Sequence, residues 1–223
     1  TEVVIDPTGA ENDYVIKTFE TGSGVELRRL SRMIGINKAM VKALLEEDYE
    51  ALSRLKKKAR SIKRDIEVVR ENEVLPALAG IPKELADRGQ LIFRIIEISA
   101  NTAERLSTLV KAAFNHIDNF HAGLDESQGK DLLFLTEKIG TFYPDLTDML
   151  EAKDFASVEA KLSDKYQLGD DFGDCITRHL MHGDTDVSSM RNGILYLTLL
   201  NETRAMVSHA FALIERIKEV YED

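Results

Sequence analysis

LADRGQLIFRIIEISANTAERLSTLVKAAFNHIDNFH, residues 85–121, decides the fold. Its apolar side chains fall at Leu85, Ile92, Ile95, Ile96, Ala100, Ala103, Leu106, Val110, Ala113, Phe114 and Ile117. Steps of three and four residues place them along one stripe of an α-helix. No proline interrupts the run, which closes around His121-Ala122-Gly123. The spacing predicts one helix of about 37 residues, roughly 55 Å long at 1.5 Å per residue. A helix of that length is the spine of an elongated bundle.

Similar stripes lie on both sides. Upstream, Leu27, Leu30, Met33, Ile34, Met40, Val41, Leu44 and Leu45 form one, and Leu52, Leu55, Ala59, Ile62, Ile66 and Val69 follow Asp48 as a second. Pro76, Gly80 and Pro82 should end that second helix. Downstream, Leu132, Leu133, Leu135, Ile139, Phe142, Leu146, Met149 and Leu150 make another, with Pro144 inside it as a predicted kink. Asp154-Phe155 opens the next, interrupted at Gly169, and a last long helix runs from about Val187 to Val220. At an offset of 106, Leu45-Glu46-Glu47-Asp48-Tyr49 faces Glu151-Ala152-Lys153-Asp154-Phe155, and Asp65-Ile66 faces Asp171-Phe172. The order of helix lengths also recurs. The expected fold is all-α: two tandem three-helix bundles of six long antiparallel helices, with halves at about 24–121 and 128–223. Residues 1–23 read as an irregular arm or linker, because Val3-Val4-Ile5 and Tyr14-Val15-Ile16 are β-type runs broken by Pro7, Gly9, Gly22 and Gly24.

Composition narrows the function classes. With 13 glycines and 4 prolines in 223 residues, a barrel or sandwich of many tight turns is disfavoured. The lone Cys175 cannot form an intramolecular disulfide, which suits a reducing compartment. No apolar run is long enough to span a bilayer. The chain opens on Thr1 without a signal-peptide pattern, and it is expected to be a piece of something longer. A net charge of −10 repels nucleic-acid phosphates. No G-x-S-x-G, G-x-x-x-x-G-K-[ST], H-E-x-x-H or C-x-x-C signature occurs, so no enzyme is expected.

Leu44-Leu-Glu-Glu-Asp-Tyr-Glu-Ala-Leu52 and Arg94-Ile-Ile-Glu97-Ile-Ser-Ala-Asn101-Thr-Ala-Glu104, set in two such halves, resemble the PhoU family over about residues 24–223. The tail Arg191-Asn-Gly-Ile-Leu-Tyr196-Leu-Thr-Leu-Leu-Asn201-Glu202-Thr-Arg204 is similar to the versions fused to sodium/phosphate symporters and phosphate permeases. The resemblance implies a cytoplasmic regulator of phosphate uptake, tethered to the inner face of the membrane as the C-terminal part of a transporter. Family members often bind metal clusters through an E/D-x-x-x-D motif in each half. Here the matching positions are Glu97 with Asn101, and Asn201 with Ala205. Too few carboxylates remain to offset the dehydration of a hard cation, and the family's metal clusters are not carried over.

Three groups of residues bear on chemistry. Asp171, Cys175, His179 and His182 would share one helical face, as transition-metal ligands that need a second helix to complete the shell. The competing reading is a small buried cysteine and histidines at a helix end. His116 and His121, five residues apart, would lie about 140° from each other on a continuing helix and read as a solvated final turn. Arg54, Lys56, Lys57, Lys58, Arg60, Lys63 and Arg64 place seven cations in eleven residues of the second helix. The comparable stretch of the other half, Ala160 to Asp171, is neutral to acidic. Such a face could meet acidic transporter loops or the anionic inner leaflet, or simply be solvated with partners such as Glu50.

The expected function is therefore a regulatory docking module of phosphate uptake, acting without catalysis and without a cofactor. Its expected partners are a transporter's membrane domain, the inner leaflet and a second copy through leucine-rich stripes, with no nucleic acid. The alternative is a metal-binding helical bundle of ferritin-like design, an oxidoreductase or a metal-dependent regulator. The absence of any Glu-x-x-His pair weighs against it.

Overall fold

A computed structural model describes residues 7–79, 81, 83–182 and 187–222, with side chains described for 22–79, 81, 83–181 and 190–222. Among them every regular element is helical: α1 (Pro7–Leu45), α2 (Tyr49–Val69), a π turn (Arg70–Val74), α3 (Leu75–Ala79), a 3₁₀ turn (Lys83–Leu85), α4 (Ala86–Asp118), α5 (Glu126–Glu151), α6 (Phe155–Leu162), α7 (Lys165–His182) and α8 (Val187–Glu222). The all-α expectation holds, and α4 is the long spine over 33 residues.

The irregular arm does not. α1 begins at Pro7 and passes through Gly22 and Gly24 without a break. Proline suits a first helical turn, where its missing N–H has no bond to lose. Tyr14-Val15-Ile16 has no strand to pair with among the described residues. Three β-favouring residues cannot outweigh propagation of a helix already nucleated beside them. Val3-Val4-Ile5 lies outside the described residues.

Packing explains the long stripes. α4 lies against α8, α2 and α1. α1 also touches α2 and α5, and α8 also touches α5 and α7. Leu106, Leu109, Val110 and Ala113 of α4 are fully buried, as are Leu199, Leu200, Leu213, Ile214 and Ile217 of α8, in one continuous core. Each fully buried Leu or Ile contributes about 1.5–3 kcal/mol relative to an exposed one. Most residues of the leucine-rich stripes that suggested a homodimer lie in this core, while Leu133, Leu180 and Ile194 stay exposed.

The two halves share local geometry at the 106 offset. α1 ends with Glu47 in the left-handed region (φ 52°), and α5 ends with Lys153 there (φ 56°). Glu47 N–H bonds to Leu44 O at 3.2 Å and Asp48 N–H to Ala43 O at 2.8 Å. Lys153 N–H bonds to Leu150 O at 3.1 Å and Asp154 N–H to Met149 O at 2.9 Å. Both ends are Schellman motifs. Asp48 and Asp154 each then cap the following helix by accepting from a backbone N–H three residues on, Ala51 at 2.8 Å and Ser157 at 3.2 Å. Burial coincides as well: Met33, Met40, Leu44, Leu52, Ile62 and Ile66 match Ile139, Leu146, Leu150, Val158, Leu168 and Phe172. For the long helices the matching offset is 104: Ile95, Ser99, Ala103, Leu106 and Val110 match Leu199, Thr203, Val207, Ala210 and Ile214.

Two local details differ from expectation. α2 gives way to a π turn ahead of Pro76, with Leu75 N–H reaching Arg70 O. The ring of Pro76 would clash with the carbonyl four residues back, and a widened turn relieves it. The break after α6 falls at Ser163-Asp164, while Gly169 sits inside α7. α5 continues through Pro144.

Candidate functional site: a basic face and two polar clusters

The basic face is built by the period of α2. Leu52, Leu55, Ala59, Ile62 and Ile66 turn into the core. At 100° per residue, Lys57, Arg60 and Arg64 then project from the opposite side, within about 60° of one another. The seven cations divide by partner. Arg54 lies 3.5 Å from Glu50, Lys63 pairs with Glu104 on α4 and Glu67, and Lys56 Nζ sits 3.7 Å from the centre of the Phe114 ring. Lys57, Lys58, Arg60 and Arg64 are exposed and have no acidic partner among the described residues. The positions 106 further on are Ser163, Asp164, Tyr166 and Asp170, all exposed. The corresponding face is thus basic in one half and acidic in the other.

Among the described residues the proposed metal ligands take other partners. Asp171 pairs with Lys138 of α5 and accepts from Gln167 at 3.4 Å. Cys175 is buried and takes part in a different network. Asp131 of α5 accepts from Arg178 at 2.6 Å and from the Tyr196 hydroxyl at 2.7 Å, and Arg178 also donates to Cys175 Sγ at 3.4 Å. Burial, with the Asp131 charge adding to it against the opposing pull of Arg178, pushes the Cys175 thiol up to about 11. The His179 ring packs edge-on to Tyr196, centroids 5.1 Å apart. The side chain of His182 lies outside those described. Among the described residues no three His, Cys, Asp or Glu side chains group to hold a metal. Asp131 was missed in the sequence because its partners sit 47 and 65 residues away.

The family-motif positions hold no cluster either. Glu97 accepts from Arg70 at 3.3 Å, and Asn101 and Asn201 are exposed.

The histidine pair differs most from expectation. α4 stops at Asp118, and Phe120 takes the left-handed conformation (φ 55°), so the chain reverses and His121 N–H bonds to His116 O at 3.2 Å. The two rings therefore meet, centroids 5.0 Å apart, with Nδ1 facing Nδ1 at 3.4 Å. His116 is buried, and its Nε2 lies 2.8 Å from Ala122 O. Burial lowers its pKa, helped by His121 and opposed by the Ala122 carbonyl and Glu47. The turn itself is solvated, with Asp118, Asn119 and Phe120 exposed, but His116 is not.

A half-open apolar groove of about 280 Å³ runs between α1, the π turn and α4. On its wall Glu26, 2% exposed, is held by Arg29 and by the Ser99 hydroxyl.

The sequence matches no family model, and no curated protein matches it significantly. Among the described residues no helix is long and apolar enough to cross a membrane.

Proposed function

We propose that this chain is a regulatory docking module, a duplicated helical domain that binds a partner through the outward face of α2. One observation carries the reading: Lys57, Lys58, Arg60 and Arg64 stand exposed and unpaired among the described residues on a chain whose net charge is −10. Thirty-nine carboxylates were available to neutralise them, and the fold leaves them to solvent. An uncompensated patch of one sign steers and orients a partner of the other sign. The resemblance to the PhoU family supplies the context: a cytoplasmic domain tethered to a phosphate transporter, whose gating it biases by docking more tightly to one state than to another. Among the described residues no group of three His, Cys, Asp or Glu side chains supports the metal-binding alternative.

The test is co-purification of the chain with the membrane domain of a phosphate permease. Lys57→Glu/Arg60→Glu/Arg64→Glu should abolish capture while the circular dichroism spectrum and melting temperature stay unchanged. Undiminished capture by that variant would sink the assignment of the face. Equal binding of the wild type to protein-free anionic vesicles would transfer the role to the inner leaflet.

A further inference from the structure

We propose that His116 and His121 form a chelating pair for a divalent first-row transition ion of the zinc class, with Glu47 as third ligand and water completing the shell. The site lies apart from the α2 face and does not depend on the docking role.

Three observations carry it. The first is distance. Two zinc–nitrogen bonds of about 2.05 Å at a tetrahedral angle separate the nitrogens by about 3.4 Å, and the two Nδ1 atoms stand 3.4 Å apart. The second is tautomer. His116 Nε2 is within hydrogen-bond distance of Ala122 O, a backbone acceptor. The carbonyl requires the ring proton on Nε2, which leaves the Nδ1 lone pair directed at His121. Donation from the non-ligating nitrogen to a carbonyl is the usual outer support of a metal-bound histidine. The third is preorganisation. The reversal at Phe120 and the bond from His121 N–H to His116 O hold the His121 backbone beside His116 without an ion, and the two rings are already in contact.

In the metal-free pair His121 Nδ1–H donates to His116 Nδ1. On binding, both Nδ1 lone pairs would go to the ion, with the His121 ring proton on Nε2. Imidazoles select Zn²⁺, Ni²⁺ or Cu²⁺ over Mg²⁺ or Ca²⁺. Glu47 does not complete a three-ligand group as it stands. Its carboxylate rests where a Cβ on Gly123 would come within 2.7 Å of Oε1, and its charge already acts on His116. Its side chain is exposed, and a change of rotamer is the movement that would bring it to the ion. The bound ion would tie together the end of α4, the 119–125 link between the halves and the α1–α2 turn.

Calorimetric titration of the full chain with Zn²⁺ alone tests this. One ion per chain should bind. His121→Ala should weaken binding at least tenfold and Glu47→Gln at least threefold, with helical circular dichroism unchanged in both. Zn²⁺ at a hundredfold excess over its Kd should raise the melting temperature by about 5 °C or more in the wild type, and not in His121→Ala. No binding would overturn the proposal. So would binding that survives His121→Ala and disappears in His179→Ala. Unchanged affinity in Glu47→Gln would remove Glu47 from the ligand set.

Discussion

Asp131→Ala is the substitution that most directly probes how the second half is held together. The carboxylate is 17% exposed and accepts from Arg178 and from the hydroxyl of Tyr196, itself 1% exposed. Removing it leaves that hydroxyl buried without its acceptor, which costs about 1–3 kcal/mol. Arg178 is 53% exposed and returns to water, so its ion pair contributes less than about 1 kcal/mol. The sum is about 1–4 kcal/mol. At about 2–4 °C per kcal/mol for a chain of this size, the melting temperature should fall by about 2–16 °C. Tyr196→Phe removes one hydrogen bond and leaves Asp131 its guanidinium, so about 1 kcal/mol is expected. Arg178→Ala should cost least. Scanning calorimetry gives the order. A second readout is alkylation of Cys175. With the thiol near 11, only about one part in a thousand is thiolate at pH 8. Asp131→Ala removes a charge that raises this pKa and leaves Arg178, which lowers it, so labelling should quicken. Arg178→Ala should slow it. Asp131→Ala that melts no lower than Arg178→Ala, or that labels more slowly than wild type, would refute the role assigned to the carboxylate.

Other perturbations have defined signs. Burial, with the Arg105 charge adding to it, holds His209 below the ordinary 6.5. Just below pH 6.5 the unfolded chain binds more protons there than the folded one. The stabilisation is therefore complete above pH 6.5 and is lost as pH falls toward the folded value; between pH 7 and 5 the wild type should lose more melting temperature than His209→Gln. Tyr143→Phe breaks the 2.8 Å bond from the buried Tyr143 hydroxyl to Val207 O, which links α5 to α8. It should cost about 1 kcal/mol in denaturant unfolding with an unchanged m-value. Gly173 lies within α7 with nothing within 4 Å of a built Cβ. Gly173→Ala should stabilise by up to about 1 kcal/mol, read as a higher urea midpoint.

The long helices were legible because each buries a continuous stripe, and a period of 3.6 survives any tertiary context. The 106 offset was legible through Asp48 and Asp154, whose short carboxylates do the same capping work twice. What stayed hidden was set by a single backbone angle or by distant partners. Phe120 adopts a positive φ that no sequence signal requires, and it turns two separated histidines into a contacting pair. Asp131 looks like any surface acid of an amphipathic helix until α7 and α8 arrive beside it. Tyr14-Val15-Ile16 misled for the opposite reason: their local preference is real but small against an adjoining helix. Of the basic run, the sequence showed the charge but not its division into tied and untied members, which depends on where Glu104 and Phe114 sit.

In each turn that follows α1 and α5, one aspartate closes one helix and opens the next with no spacer residue between. Such a joint fixes rotation as well as direction. Lengthening either turn by one residue would rotate the following segment by about 100° and swing its oily side toward water. The joints therefore act as indexing pins, and natural variation in length should be confined to other loops, such as the link at 119–125.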